Sequence, residues 1–110
     1  MLFRSTQGEL GTRGSAEIRH QETTKAKELL GVVVRENLKF RDGFFVNDEA
    51  HQLAIIKKIR QYQPDIVLCN AIDDRHIDHG KGSKLVSDAC FLSGLRRIET
   101  TLDGKMQSAF

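Results

Sequence analysis

Three stretches of the chain repeat apolar residues at helical spacing, and short apolar runs lie between them. Ser15 to about Leu30 is predicted to be the first helix, with Ile18, Ala26, Leu29 and Leu30 on one face. Ser15 suits the N-cap. Glu17 and Glu22 come early and Lys25 and Lys27 late, as the helix dipole prefers, and Gly31 suits the residue after the last turn. A second helix starts at Asn47 or Asp48 and reaches Tyr62, with Leu53, Ile56 and Ile59 in step and Ala54 and Ile55 widening the stripe. Pro64 blocks its continuation. A third spans roughly 82–93, with Leu85, Ala89 and Leu92 spaced four and three apart and Gly94 as its stop. Between these, Val32-Val33-Val34 reads as a short β-branched strand, and Asp42-Gly43 as a turn before Phe44-Phe45-Val46. Asp65-Ile66-Val67-Leu68-Cys69 reads as a buried strand, because its apolar run is continuous rather than alternating. Strands alternating with helices predict an α/β fold with a parallel sheet. Two strands are too few for a complete sheet, so the fold is either small and irregular or a piece of a larger α/β protein.

Composition narrows the classes of function. The chain has 110 residues, room for a single domain, with 39% hydrophobic and 29% charged residues, too apolar for a disordered segment. No run approaches the roughly 18 apolar residues needed to cross a bilayer, and the opening lacks the basic and apolar regions of a signal peptide. A cytoplasmic protein without membrane partners is the expectation. Seventeen Lys and Arg face fifteen Asp and Glu, and the net charge of +2 is scattered rather than gathered into a basic stripe with aromatics. Nucleic acid is therefore not an expected partner. Cys69 and Cys90 lie in apolar segments without CxxC spacing, as buried free thiols would.

Two segments carry candidate chemistry. Thr6 to Gly14 holds Gly8, Gly11 and Gly14 at intervals of three, a density that suggests sharp turns or close approach to another group. Arg19 follows in the first turns of a helix, where the dipole disfavours a cation. It either serves a bound anion or polar substrate, or is simply solvated. The second segment, Asn70 to Lys81, gathers Asp73, Asp74, Arg75, His76, Asp78 and His79 after an expected strand and before an expected helix. Ligands of open α/β sheets bind at that end of the strands. Two histidines and an acid within four positions can supply a metal ligand, a proton-transfer group and a supporting carboxylate. They can equally be a polar surface loop whose imidazoles bond to backbone. Two histidines alone do not make a zinc site, which needs three or four ligands. His20 and His51 lie on expected helices and are read as facing solvent.

Gly8-Glu9-Leu10-Gly11-Thr12-Arg13-Gly14-Ser15-Ala16-Glu17-Ile18-Arg19, Gln63-Pro64-Asp65-Ile66-Val67 and Asp73-Asp74-Arg75-His76-Ile77-Asp78-His79-Gly80 occur in that order. Together they resemble the LmbE-like, or PIG-L-like, zinc-dependent N-acetylglucosamine deacetylases. The likeness is greatest to the branch acting on N-acetylglucosaminyl malate in bacillithiol biosynthesis. The resemblance implies a Rossmann-like parallel sheet with flanking helices and hydrolysis of an acetamide on a small sugar conjugate. It also implies roles: His79 as a Zn2+ ligand, His76 as the group that stabilises the tetrahedral intermediate or protonates the leaving amine, Asp78 as the carboxylate that orients His76, and Arg19 as a substrate contact.

Two departures from the family pattern stand out. Ile77 replaces the proline of His-Pro-Asp-His, which is expected to loosen the loop. The Ala-His-Pro-Asp-Asp motif, which the resemblance makes the source of two further zinc ligands and the general base, is absent. Residues 1–110 are accordingly expected to be one partial deacetylase domain. By that resemblance it is expected to lack the domain's N-terminal strand and helix and its C-terminal part, and to be inactive alone. The alternative is a non-catalytic α/β remnant acting through homo-oligomerisation. A phosphohydrolase or nucleotide-binding reading has no GxxxxGK[ST] or strand-embedded GxGxxG behind it.

Overall fold

A computed structural model describes all residues from Met1 to Phe110, which form two compact units, Met1–Phe45 and Val46–Phe110. The first unit is a strand–helix–strand segment: β1 (Leu2–Thr6), α1 (Ala16–Leu29) and β2 (Arg35–Phe40), with β1 and β2 paired in parallel. The α/β class with a parallel sheet and flanking helices is therefore correct. Its strands are not the expected ones. β1 was not legible as a strand, because Leu-Phe-Arg-Ser-Thr has no clean alternation. β2, Arg-Glu-Asn-Leu-Lys-Phe, is largely polar.

The valines at 32–34 precede β2 rather than form it. Gly31 N–H donates to the Glu28 carbonyl (3.2 Å) and Val32 N–H to the Lys27 carbonyl (3.0 Å). This pair of bonds closes a helix end and draws the first valine into the turn. The ladder begins only where Leu2 N–H donates to the Val34 carbonyl at 2.9 Å. Ser15 caps α1 as expected, accepting from Ile18 N–H at 3.2 Å. The expected apolar face of α1 is not covered: no residue of the helix is buried, and Leu29 is 87% exposed.

The second unit consists of α2 (Glu49–Tyr62), α3 (Ile77–Ser93) and a hairpin of β3 (Thr101–Leu102) and β4 (Lys105–Met106). Asp48 caps α2 by accepting from His51 N–H at 3.0 Å, and Gln63 ends it in the left-handed region. Ile55, Ile56 and Ile59 of α2 and Leu85 and Ala89 of α3 are buried where the two helices pack, each large side chain contributing about 1.5–3 kcal/mol. Arg60 is buried at the far end of this interface. Its guanidinium donates to the carbonyls of Ser93 (3.1 Å), Leu95 (3.0 Å) and Ile98 (2.6 Å) and to Thr100 Oγ1 (2.9 Å).

Two expectations for this unit are corrected. Residues 65–69 form no strand, and Ile66 and Leu68 are 77% and 91% exposed. A strand is a property of a pair, and nothing in the unit offers this run a ladder partner. Cys69 is consequently exposed and Cys90 half-buried; both thiols are free, but neither is buried. The third helix also begins five residues earlier than its glycines suggested, so residues 77–81 are helical rather than loop. Gly80 is placed within the helix by close approach. A Cβ there would lie 3.1 Å from the Ile72 carbonyl of the preceding loop.

Candidate active-site loop

His76 is the N-cap of α3. Its backbone is extended (φ −88°, ψ 116°), and its ring Nδ1 accepts from the backbone N–H of Asp78 at 3.2 Å. This is the work a Ser or Asp side chain ordinarily does at a helix start. Because a backbone N–H can only donate, Nδ1 carries the lone pair and the neutral ring bears its hydrogen on Nε2. His79 is the third residue of the helix, and its ring stacks on that of His76 with centroids 4.7 Å apart and planes 18° from parallel. His79 Nδ1 is 2.8 Å from Asp74 Oδ2, while Asp74 Oδ1 accepts from the backbone N–H of His76 at 3.1 Å. The hydrogen bonds from His79 and His76 hold the Asp74 carboxyl below its ordinary value of 3.8.

Asp78 is buried in the first turn, where the helix dipole favours a carboxylate, and its Oδ1 lies 3.1 Å from Lys81 Nζ. Its link to His76 runs through the backbone N–H described above. Three of the four residues singled out from sequence, His76, Asp78 and His79, thus meet within one helix start. Asp74 had no assigned role, yet it bonds to both histidines. The signal was present in the spacing, since an Asp two residues before a helix cap often accepts a backbone N–H.

Arg19 belongs to the first unit. Its guanidinium donates to the carbonyls of Gly8 (2.5 Å) and Arg13 (2.6 Å), bracing the glycine-rich loop from within. A Cβ on Gly11 would meet that guanidinium, which would have to shift to admit it. The loop is held from its other side by a reciprocal clasp. Leu10 N–H donates to Asp42 Oδ2 (3.0 Å) and Asp42 N–H to Glu9 Oε1 (2.7 Å). Two of the guanidinium's donors are thus taken up within the loop, and Arg19 is not simply solvated. His51, expected to face solvent, is paired with Asp48.

The PIG-L family, described as GlcNAc-PI de-N-acetylase, matches residues 2–90. The chain belongs to this family. It is similar to the conserved protein TT1542 from Thermus thermophilus, with 33% identity and a TM-score of 0.84 over 97% of this chain and 48% of that one. It is also similar in fold to GalB, the 4-carboxy-2-hydroxymuconate hydratase from Pseudomonas putida. There the identity is 14% and the TM-score 0.69, over 86% of this chain and 56% of that one. The chain spans about half the length of each. PIG-L members are deacetylases or hydrolases and are generally metal-dependent.

A catalytic zinc takes three protein ligands and leaves one position open. No group of three His, Cys, Asp or Glu side chains comes together in this chain in a way that could hold a metal ion. Asp74 already engages Nδ1 of His79. The chain's own residues therefore do not make up a catalytic zinc site. No helix is long and apolar enough to cross a membrane.

Proposed function

We propose that this chain is one part of a PIG-L-type N-deacetylase domain that hydrolyses the acetamide of an N-acetylglucosaminyl conjugate, N-acetylglucosaminyl malate being the candidate substrate and bacillithiol biosynthesis the setting. The observation that carries the reading is the locked helix start, with Asp74, His76, Asp78 and His79 tied to one another, in a chain whose family acts as deacetylases or hydrolases. In the reaction, water oxygen bonds to the acetyl carbon, the C–N bond breaks, and acetate and a free amine leave, a water proton ending on the amine nitrogen. His76, with its Nε2 hydrogen, is the donor to the carbonyl oxygen as that oxygen gains charge. One such donor is typically worth about 3–4 kcal/mol of barrier. Asp78 holds His76 in place through the helix start. Arg19 shapes the glycine-rich loop and, by the family resemblance, contacts the substrate.

His79 is assigned as the zinc-facing histidine. The remaining zinc ligands and the general base are assigned to polypeptide outside these 110 residues, a reading that the half-length match to its relatives supports. The protein is taken to be cytoplasmic, with a small-molecule partner and neither nucleic acid nor membrane.

The test is acetate release from N-acetylglucosaminyl malate by the longest polypeptide carrying this sequence, with and without a chelator. Metal-dependent release that falls about 100- to 1,000-fold in His76→Ala supports the reading. Full activity in His79→Ala overturns it. Zinc titration of the 110-residue chain alone is expected to show no tight stoichiometric binding, and tight binding would refute the assignment of ligands to outside polypeptide.

A second reading, a non-catalytic module that homo-oligomerises, draws on the exposed Leu29, Leu30 and Val33 of one unit and Ile66, Leu68 and Ile72 of the other. Sedimentation of the 110-residue chain separates the two. A concentration-independent monomer removes this reading.

A further inference from the structure

We propose that Asp74 is a positioning residue that sets the two stacked imidazoles in opposite tautomers, His79 with its hydrogen on Nδ1 and His76 with its hydrogen on Nε2. The proposal deepens, and rests on, the reading of this loop as the catalytic one.

The argument is one of donors and acceptors. An ionised carboxylate offers only lone pairs. With Asp74 Oδ2 at 2.8 Å from His79 Nδ1, the hydrogen between them belongs to Nδ1, and Nε2 of His79 is left bare. At His76 the logic is inverted. The Asp78 backbone N–H can only donate, so Nδ1 of His76 is bare and the hydrogen sits on Nε2. A histidine free in water favours the hydrogen on Nε2, so His76 keeps the commoner form and His79 is held in the rarer one. Only Asp74 does the holding. Its other oxygen is engaged by the His76 N–H at 3.1 Å, so one carboxylate fixes both the ring of His79 and the backbone from which His76 projects.

The consequence is a pair of complementary nitrogens on adjacent rings. His79 Nε2 accepts and His76 Nε2–H donates, and the stacking of the rings keeps them side by side. A metal-facing imidazole needs a bare ring nitrogen, and a carbonyl oxygen gaining charge needs an N–H aimed at it. A loop in which both imidazoles took the common tautomer would present two donors and no acceptor.

The substitution Asp74→Asn isolates the effect. The His76 N–H needs an oxygen, which directs the carboxamide oxygen to it and turns the amide NH2 toward His79. Nδ1 of His79 must then accept, and its hydrogen moves to Nε2. The experiment is a long-range proton–nitrogen NMR spectrum of the 15N-labelled 110-residue chain at about pH 8.5, where imidazoles are ordinarily neutral. For the wild type we expect pyrrole-type nitrogen at Nδ1 of His79 and at Nε2 of His76. In Asp74→Asn, His79 is expected to change to Nε2–H while His76 keeps its pattern.

A wild-type His79 carrying its hydrogen on Nε2 overturns the proposal, whether or not the variant folds. So does a folded Asp74→Asn variant in which His79 stays Nδ1–H. The spectrum needs neither metal nor substrate. The expected tautomers in this chain, with no metal-dependent acetate release by the longest polypeptide carrying it, would refute the functional reading and leave this one standing, and the reverse result would do the opposite.

Discussion

Arg60→Ala is predicted to destabilise the second unit by an amount that follows from the contacts of its guanidinium. The guanidinium reaches four oxygens, but they do not depend on it equally. The Ser93 carbonyl also accepts from Phe110 N–H at 2.9 Å, and the Leu95 carbonyl from Ile98 N–H at 3.1 Å. The Ile98 carbonyl and the Thr100 hydroxyl take their described bonds from Arg60 itself. Orphaning one half-buried carbonyl costs about 1–3 kcal/mol. Truncation also removes two stem methylenes from a side chain only 4% exposed, worth about 0.8 kcal/mol each. Together these give roughly 3–5 kcal/mol, set against the desolvation cost of a buried cation that the alanine no longer bears. The assay is urea unfolding of the 110-residue chain followed by circular dichroism, with Arg60→Lys as an intermediate control that keeps the charge and loses the fork of donors. A loss for Arg60→Ala within the roughly 0.5 kcal/mol of an ordinary surface substitution would refute the reasoning. The contact matters to the site because Arg60 fixes the end of α3 opposite to the one that carries His79.

The other predictions concern the same unit. Gly82→Ala places its Cβ in ordinary contact, 3.9 Å from Asn70 Oδ1, and is expected to raise stability by up to about 1 kcal/mol. Gly80→Ala must displace the Ile72 carbonyl and is expected to gain less or to lose, a ranking that the same urea titration checks. Ile77→Pro is expected to stabilise by about 0.4–1 kcal/mol with no change in the histidine nitrogen spectrum. The Asp48 carboxyl is held below its ordinary 3.8 by hydrogen bonds from the backbone and ring of His51, so its contribution is present above that value and lost as pH falls through the lowered one. Acid unfolding followed by circular dichroism should therefore shift less steeply with pH in Asp48→Asn. Burial, and the neighbouring Cys69, push the Cys90 thiol above its ordinary value of 9.0, so iodoacetamide with mass spectrometry should find Cys69 modified first.

What could be read from the sequence was what one segment decides for itself. Ser15 and Asp48 as caps, Pro64 as a stop, and the isoleucines of α2 as a buried stripe all follow from residues within a few positions of each other. What could not be read depends on a second segment. The run 65–69 has the composition of a central strand, but composition does not supply the neighbouring backbone that makes a strand. β1 and β2 are strands despite polar sequences because each finds the other. The hairpin at 101–106 was not read: its one signal is Asp103-Gly104, a turn pair in which both residues take positive φ (52° and 75°), and no apolar alternation flanks it. Within the site, the histidines were conspicuous as residue types. Their tautomers were not, because these are set by which atom of Asp74 and Asp78 each ring meets.

The same geometry changes the meaning of Ile77. At the level of sequence, an isoleucine where the family pattern has proline is expected to loosen the loop around the histidines. The loop, however, has already ended there. Ile77 is the first residue of α3, with the cap immediately before it. The first helical position is where proline is best tolerated, because the N–H it lacks has no partner within the helix. Proline also restricts the residue ahead of it to extended backbone, and His76 is already extended without that help. Proline at 77 would thus narrow the unfolded chain without creating a contact that the folded one lacks. The order that proline would enforce is supplied here by three bonds: Asp78 N–H to the His76 ring, His76 N–H to Asp74, and His79 N–H to the His76 carbonyl at 3.0 Å. These involve only residues the family pattern and this chain share at 76, 78 and 79, together with Asp74. The departure at 77 therefore falls on stability, and the arrangement of the imidazoles is independent of it.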